Sequence, residues 1–321
     1  MASGRWVPCA SRHPPEPPMV PFRRALAGLV ATAAFASIQA LAQTPPGTVT
    51  SSASITGVTQ FDTDLDGGGQ FHWGGVIVSG SVSRQFTPQW SAGFSARYDY
   101  EEWKFYNELS AFPTGAPWGK INRPNIGLNV TYAAAPDLVF SVAPAIEWGF
   151  ESGANTGDAI SAGAVMTALK VFGPGKVLGV GVGVFRQIDE TKVFPFLIVN
   201  WKLTDQLRLT NPLPAGPSGG AGLELAYAID DNWEVAGGGA YRSYRFRLKS
   251  DGPYPDGIGE STSIPLFARI GRKFGEASRF DFYAGIATGG KLTVMDTNGN
   301  DIANDGYKTA PAIGLTLSSR F

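Results

Sequence analysis

The sequence predicts an all-β fold: a transmembrane, antiparallel, up-and-down β-barrel of about fourteen strands, with twelve as the alternative count. Three observations carry this. Apolar and polar residues alternate with period two, in stretches of roughly ten to fifteen residues. Short turns and long polar connections alternate between those stretches. A secretory signal precedes them all, and no later apolar run approaches the about twenty residues of a membrane helix.

The signal comes first. Arg23 and Arg24 form a basic region, Ala25 to Ile38 a short apolar one, and Ala40-Leu41-Ala42 offers small residues before Gln43. Residues 1–18 are Pro-rich, and Met19 is the more natural start. The expected division is 1–42 extension and signal peptide, 43–49 a short periplasmic lead, and 50–321 the barrel. The single cysteine, Cys9, falls in the extension, so the mature chain has no disulfide, thiolate metal site or cysteine nucleophile. Without Arg5, Arg12, Arg23, Arg24 and Glu16, the 26 basic and 27 acidic residues fall to 22 and 26, a net charge of −4. That balance gives nucleic acid no footing. The 41 glycines and 43% hydrophobic residues, spread without a long apolar run, fit a barrel better than a helical protein.

The strands are expected near 50–61, 73–86, 89–103, 123–134, 137–150, 159–171, 175–187, 192–203, 206–211, 219–229, 232–248, 260–274, 278–292 and 307–321. In the third, Trp90, Phe94, Tyr98 and Tyr100 oppose Ser91, Ser95, Arg97 and Asp99. In the fourth, Ile126, Leu128, Val130 and Tyr132 oppose Gly127, Asn129 and Thr131. In the fifth, Phe140, Val142, Ile146, Trp148 and Phe150 oppose Ser141, Ala145 and Glu147. In the seventh, Val180, Val182 and Val184 oppose Gly179, Gly181 and Gly183. The eighth is apolar on both faces: Phe194 and Phe196 on one, Val193 and Leu197 on the other, so its rings have a glycine track to lie over. The ninth, Gln206 to Asn211, is short, and it is needed so that its neighbours run in opposite directions. Leu223 and Leu225 oppose Glu224, Leu266 and Ile270 oppose Arg269, Phe280 and Phe282 oppose Asp281, and Ile313, Leu315 and Leu317 oppose Gly314, Thr316 and Ser318.

Tight turns are expected at 87–88, 135–137, 173–175, 204–205, 230–232 and 275–277. The longer connections lie near 62–72, 104–122, 151–158, 188–191, 212–218, 249–259 and 293–306. Seven long and six short connections join fourteen strands and leave both termini on the periplasmic side. On this register Trp90, Tyr132, Trp201, Tyr227, Trp233, Phe280 and Phe321 gather at one rim. Tyr98, Tyr100, Trp148 and Phe150 gather at the other, as amphipathic rings do at lipid–water interfaces.

The last strand, ending in Ser319-Arg320-Phe321, resembles the closing strand of Gram-negative outer-membrane β-barrels. With Pro265-Leu266-Phe267 and Phe282-Tyr283-Ala284-Gly285, the final third is similar to a family of uncharacterised outer-membrane barrels. The resemblance implies fold and a location in the cell outer membrane. It also implies outer-membrane lipid and the barrel-assembly machinery as partners, with Phe321 as the assembly signal. It supplies no catalytic residues.

Arg97, Asp99, Asn129, Glu147, Glu224, Arg242, Arg269 and Asp281 are the expected lumen-lining residues, because charges face lipid only at high cost. They allow an aqueous path or a filled interior. The strands at 50–321 leave no room for a plug or second domain. The loop at 104–122, with Trp103, Phe105, Tyr106, Phe112 and Trp118, is expected either to fold inward as a constriction or to lie on the outer lipid surface. Asp62, Asp64 and Asp66 before Gly67 resemble the first half of a calcium loop, and Asp296, Asn298 and Asn300 form a looser one. The pattern departs at Trp73, where a bidentate Glu would stand, and no other cofactor is expected. His72 has no serine near it in sequence, so no enzyme is expected. The leading functional expectation is passive passage of a small solute, as a pore or transporter. A structural or surface-interaction barrel is the alternative, and a lipid-active enzyme the lesser one.

Overall fold

The structure, a computed structural model, describes residues 45–213 and 215–321; the expected extension and signal peptide, 1–42, lie outside the described residues. Its strands are β1 (Val49–Asp64), β2 (Gln70–Gln85), β3 (Trp90–Tyr106), β4 (Lys120–Ala135), β5 (Leu138–Trp148), β6 (Phe150–Glu151), β7 (Ile160–Gly173), β8 (Lys176–Arg186), β9 (Thr191–Lys202), β10 (Leu207–Thr210), β11 (Gly222–Ala228), β12 (Trp233–Ala240), β13 (Arg242–Arg247), β14 (Ile258–Phe274), β15 (Ser278–Met295), β16 (Asp301–Tyr307) and β17 (Ala310–Arg320). Three spans are interrupted, β5/β6, β12/β13 and β16/β17, so the seventeen segments make fourteen spans. Successive spans pair antiparallel. β1 and β17 close the ring, from Ser52 opposite Arg320 to Gln60 opposite Ala312.

Period-two alternation decides which residues face outward. Ile55, Val78, Phe94, Leu128, Val142, Val180, Leu225, Leu266, Ile286 and Leu315 are all exposed, though large and apolar. An unbroken apolar belt of this kind is stable only against lipid. Trp90 and Tyr132 pack at 4.6 Å on the rim that carries the short turns. Arg272 lies over Trp233 and Phe274, and Arg84 over Phe86, with the apolar stems along the belt and the charges at the water boundary. The turns at this rim are built by local side-chain acceptors. Thr87 Oγ1 accepts from the Gln89 and Trp90 amides, and Asp230 Oδ1 from those of Asn232 and Trp233. Gly175 and Gly275 supply the positive φ that two other turns require.

The long-connection end is not an open mouth. β13 leaves the wall and crosses toward the opposite side, where the Arg247 amide donates to Gly149 O at 2.9 Å and Arg247 pairs in parallel with Phe150. The fifth and eleventh spans thus meet, pinching the outer end into a smaller ring. An apolar core fills that ring: Phe71, Trp73, Trp103, Trp118, Phe246 and Leu292 are each buried, with Phe112 and Tyr307 beside them. Phe71 and Trp103 stack at 5.4 Å, and Trp118 meets Phe246 edge-on at 5.1 Å. The loop after β3 therefore folds inward and caps the barrel, the first of its two expected placements.

Candidate functional site

Below this core the interior holds two layers of charge. In the upper layer, Arg97 Nε donates to Asp99 at 2.6 Å, and Arg123 Nη2 donates to Glu101 at 2.7 Å; Arg242 reaches the same Glu101. The Arg123 guanidinium sits 3.6 Å from the centre of the Tyr244 ring. The lower layer is centred on Arg269. It donates to Glu224 at 2.6 Å, Glu234 at 2.8 Å and Asp281 at 2.8 Å, and Arg279 bonds Asp281 and Glu234. Six of the eight expected lumen residues thus enter two ion networks. Asn129 and Glu147 also lie on inward positions of β4 and β5, with Asn129 donating to Thr131. The sequence reading missed Glu101, Arg123, Glu234 and Arg279. Their inward parity was available; the partners that join them were not.

A loop also enters the barrel, which corrects the expectation of a barrel without a plug. β10 has four residues, and the chain then turns inward over the described residues 211–213 and 215–221. Thr56 Oγ1 on the far wall donates to Ala215 O at 2.5 Å. Pro217 sits against Gly314, where an added Cβ would come within 2.7 Å of it. The missing upper part of β10 leaves a break in the hydrogen-bonded wall. β9 pairs with β10 only from Asn200 to Lys202, and β11 pairs with β12 only up to Gly222 opposite Ala240. Asn211 fills the base of the break: its Oδ1 accepts from Val199 N at 2.8 Å, and its Nδ2 donates to Leu197 O and Gly222 O. Ion pairs cross the top. Arg245 of β13 bonds Asp189 and Glu190 in the β8–β9 turn, and Lys192 lies 3.8 Å from Glu260.

The inner wall beside the break is apolar. Phe194 and Phe196 lie over Gly183 and Gly181, with ring carbons 2.2 Å from where a Cβ would stand. Phe185 continues the stripe, 6.2 Å from Phe194. Both residues are half-buried, and Phe196 also packs against the buried cluster of Val139, Leu169, Val177 and Ile198.

The calcium expectation meets a different geometry. β1 runs on through Asp64, so Asp62 and Asp64 lie on an extended strand and Asp66 in the turn after it. Asp62 bonds His72 at 2.8 Å, Asp64 accepts from Gln70, and Asp66 pairs with Lys308. Asp296 instead closes its own loop, accepting from the Asn298 and Asn300 amides and from Asn300 Nδ2; these bonds, the Asn300 side chain first, hold its carboxyl below the usual range. Among the described residues no three metal-ligating carboxylate or imidazole side chains gather. His72 contacts Asp62 and Tyr106, and no nucleophilic serine is among its partners. Phe321 is exposed, and its amide donates to Ser51 O at 2.8 Å across the closing seam.

Fold and surface together define a β-barrel of the outer-membrane type, with a filled outer end and a side break. No family model matches the chain, and no curated protein does. Solved structures are similar in fold. A Pseudomonas aeruginosa FadL homologue is 13% identical, with 90% of this chain and 93% of that one covered and a TM-score of 0.47. An outer-membrane channel from Pseudomonas putida F1 is 12% identical, with 86% and 96% covered and a TM-score of 0.45. The Pseudomonas putida toluene transporter TodX is 12% identical, with 88% and 93% covered and a TM-score of 0.42.

Proposed function

We propose that this barrel carries small, largely apolar solutes across the outer membrane, through the break between β9 and β13 rather than along an open axis. The observation that carries the reading is the break itself, lined inside by Phe194 and Phe196. A water-filled pore has no use for phenyl rings facing its interior, whereas an apolar solute leaves water to meet them. Insertion would use the terminal Phe321 as the assembly signal. The filled outer core favours a second reading, a closed structural barrel.

The test is uptake by porin-deficient Gram-negative cells expressing the chain. A labelled monocyclic hydrocarbon is expected to enter several-fold faster than in empty-vector cells, with maltose uptake unchanged. Equal gains for both solutes would point to an open aqueous pore. No gain for either would favour the structural barrel.

A further inference from the structure

A half-open cavity lies between β1, β2, β13, β14, β15 and β17 and is covered by Pro217 and Ser218 of the loop after β10. Its walls are mostly apolar: Val58, Trp73, Pro217, Phe267 and Ala287. Three polar atoms at this cavity have no hydrogen-bond partner in the protein: Gln60 Nε2, Arg242 Nε and Tyr283 Oη. Gln60 is 2% and Tyr283 3% exposed, so bulk water does not serve them. An unpaired buried polar group costs about 1–3 kcal/mol. Three at one cavity, contributed by β1, β13 and β15, form a convergent set of the kind that orients a small molecule in an apolar pocket.

We propose that this cavity binds a small ring-shaped molecule carrying a carboxylate. The three groups offer two N–H donors and a hydroxyl, so the ligand must bring acceptor oxygens. A pure hydrocarbon would leave all three unpaired. Arg97, Arg123 and Arg242 pair with Asp99 and Glu101, three guanidinium groups to two carboxylates, and this favours an anionic acceptor. The Arg242 guanidinium is held against two rings, 4.1 Å from the centre of Trp73 and 4.7 Å from that of Tyr244. Small residues at Gly285 and Ala312 leave the wall concave, and Pro217 and Ser218 at the loop tip cover it. The proposal gives the transport reading a substrate class, and rests on that reading only for what binding achieves.

The experiment is calorimetric titration of the folded wild-type barrel in detergent with benzoate, toluene and acetate. Benzoate has ring and carboxylate, and each of the others has one alone. Benzoate is expected to bind, with toluene and acetate at least about tenfold weaker. Tyr283→Phe and Gln60→Leu should each weaken benzoate about five- to tenfold. Tyr283→Phe should also keep or raise thermal stability, because it removes a hydroxyl that nothing in the protein satisfies. Benzoate no tighter than toluene, or unmoved by both variants, overturns the site. So does an absence of benzoate binding, which would leave the three atoms to ordered water. A barrel that raises hydrocarbon uptake in cells yet fails this titration loses the site and keeps the transport reading.

Discussion

Arg269 shows how much a single interior charge carries. Its side chain is 1% exposed, and it bonds Glu224, Glu234 and Asp281 at once, the first and last as buried as itself. Removing one partner from a buried pair costs about 3–5 kcal/mol, because the other charge stays behind unpaired. Arg279 still covers Asp281 and Glu234, so Arg269→Met is expected near the lower end, about 3 kcal/mol, through the stranded Glu224. Arg208→Met is the contrast. That guanidinium is 42% exposed and pairs with Glu234 alone, so the loss should stay below about 1 kcal/mol. Urea midpoints in lipid vesicles measure both, and equal losses would contradict the account. At this scale the sequence was readable in one respect. Arg269, Glu224 and Asp281 alternate with apolar residues, so their inward direction follows from period two. Their meeting does not, and neither does that of Arg242 and Glu101, which stand 141 residues apart and are brought together only by closure of the ring with its stagger.

β10 is the element on which the interior turns. Four residues rise about 13 Å, roughly half the height of the apolar band. The chain therefore leaves the sheet at membrane depth, where unpaired amides cannot face lipid. It must turn into the lumen. That inference was available from the shortness of Gln206 to Asn211, yet the Pro- and Gly-rich stretch after it reads locally as an ordinary outer loop. The other spans were legible because each is long enough for its alternation to be unambiguous, and the ring count followed from alternating turn lengths. The outer core was not, since Phe71, Trp73 and Leu292 lie on the polar side by parity and become buried only where β13 crosses over. Asn211 is the piece that makes the short strand tolerable, replacing a missing strand with one side chain. Asn211→Ala removes its bonds to Val199, Leu197 and Gly222, and should cost about 1–3 kcal/mol. It should also speed hydrogen exchange at the Val199 amide more than at amides of β2 or β15. Uniform acceleration around the ring would mean that Asn211 does not hold the base of the break.

For the whole molecule, the question is which route the filled interior leaves. Along the axis, a solute meets the lower ion layer, the 211–221 loop, the upper ion layer and the aromatic core in series. Through the side, it meets the phenyl stripe, with the Asn211 bridge below and the Arg245–Asp189 ion pairs above. The loop belongs to both routes, but the core belongs only to the first. Replacing 212–220 with a short Gly-Ser linker therefore separates them. Steady ion conductance in planar bilayers is expected to remain near the wild-type level, because the buried outer core still blocks the axis. Uptake of the monocyclic hydrocarbon is expected to rise, because the space behind the break is no longer obstructed. Loss of the Thr56 and Pro217 contacts should lower stability modestly, so folded yield is measured alongside by heat-modifiable gel mobility. If the loop variant instead conducts ions like an unobstructed fourteen-stranded pore, the loop is the axial gate and the lateral route is wrong. If conductance and uptake both stay unchanged in folded protein, the barrier lies in the Arg245 ion pairs that cross the break. Arg245→Ala then becomes the decisive variant, with increased hydrocarbon uptake as the outcome the lateral route requires.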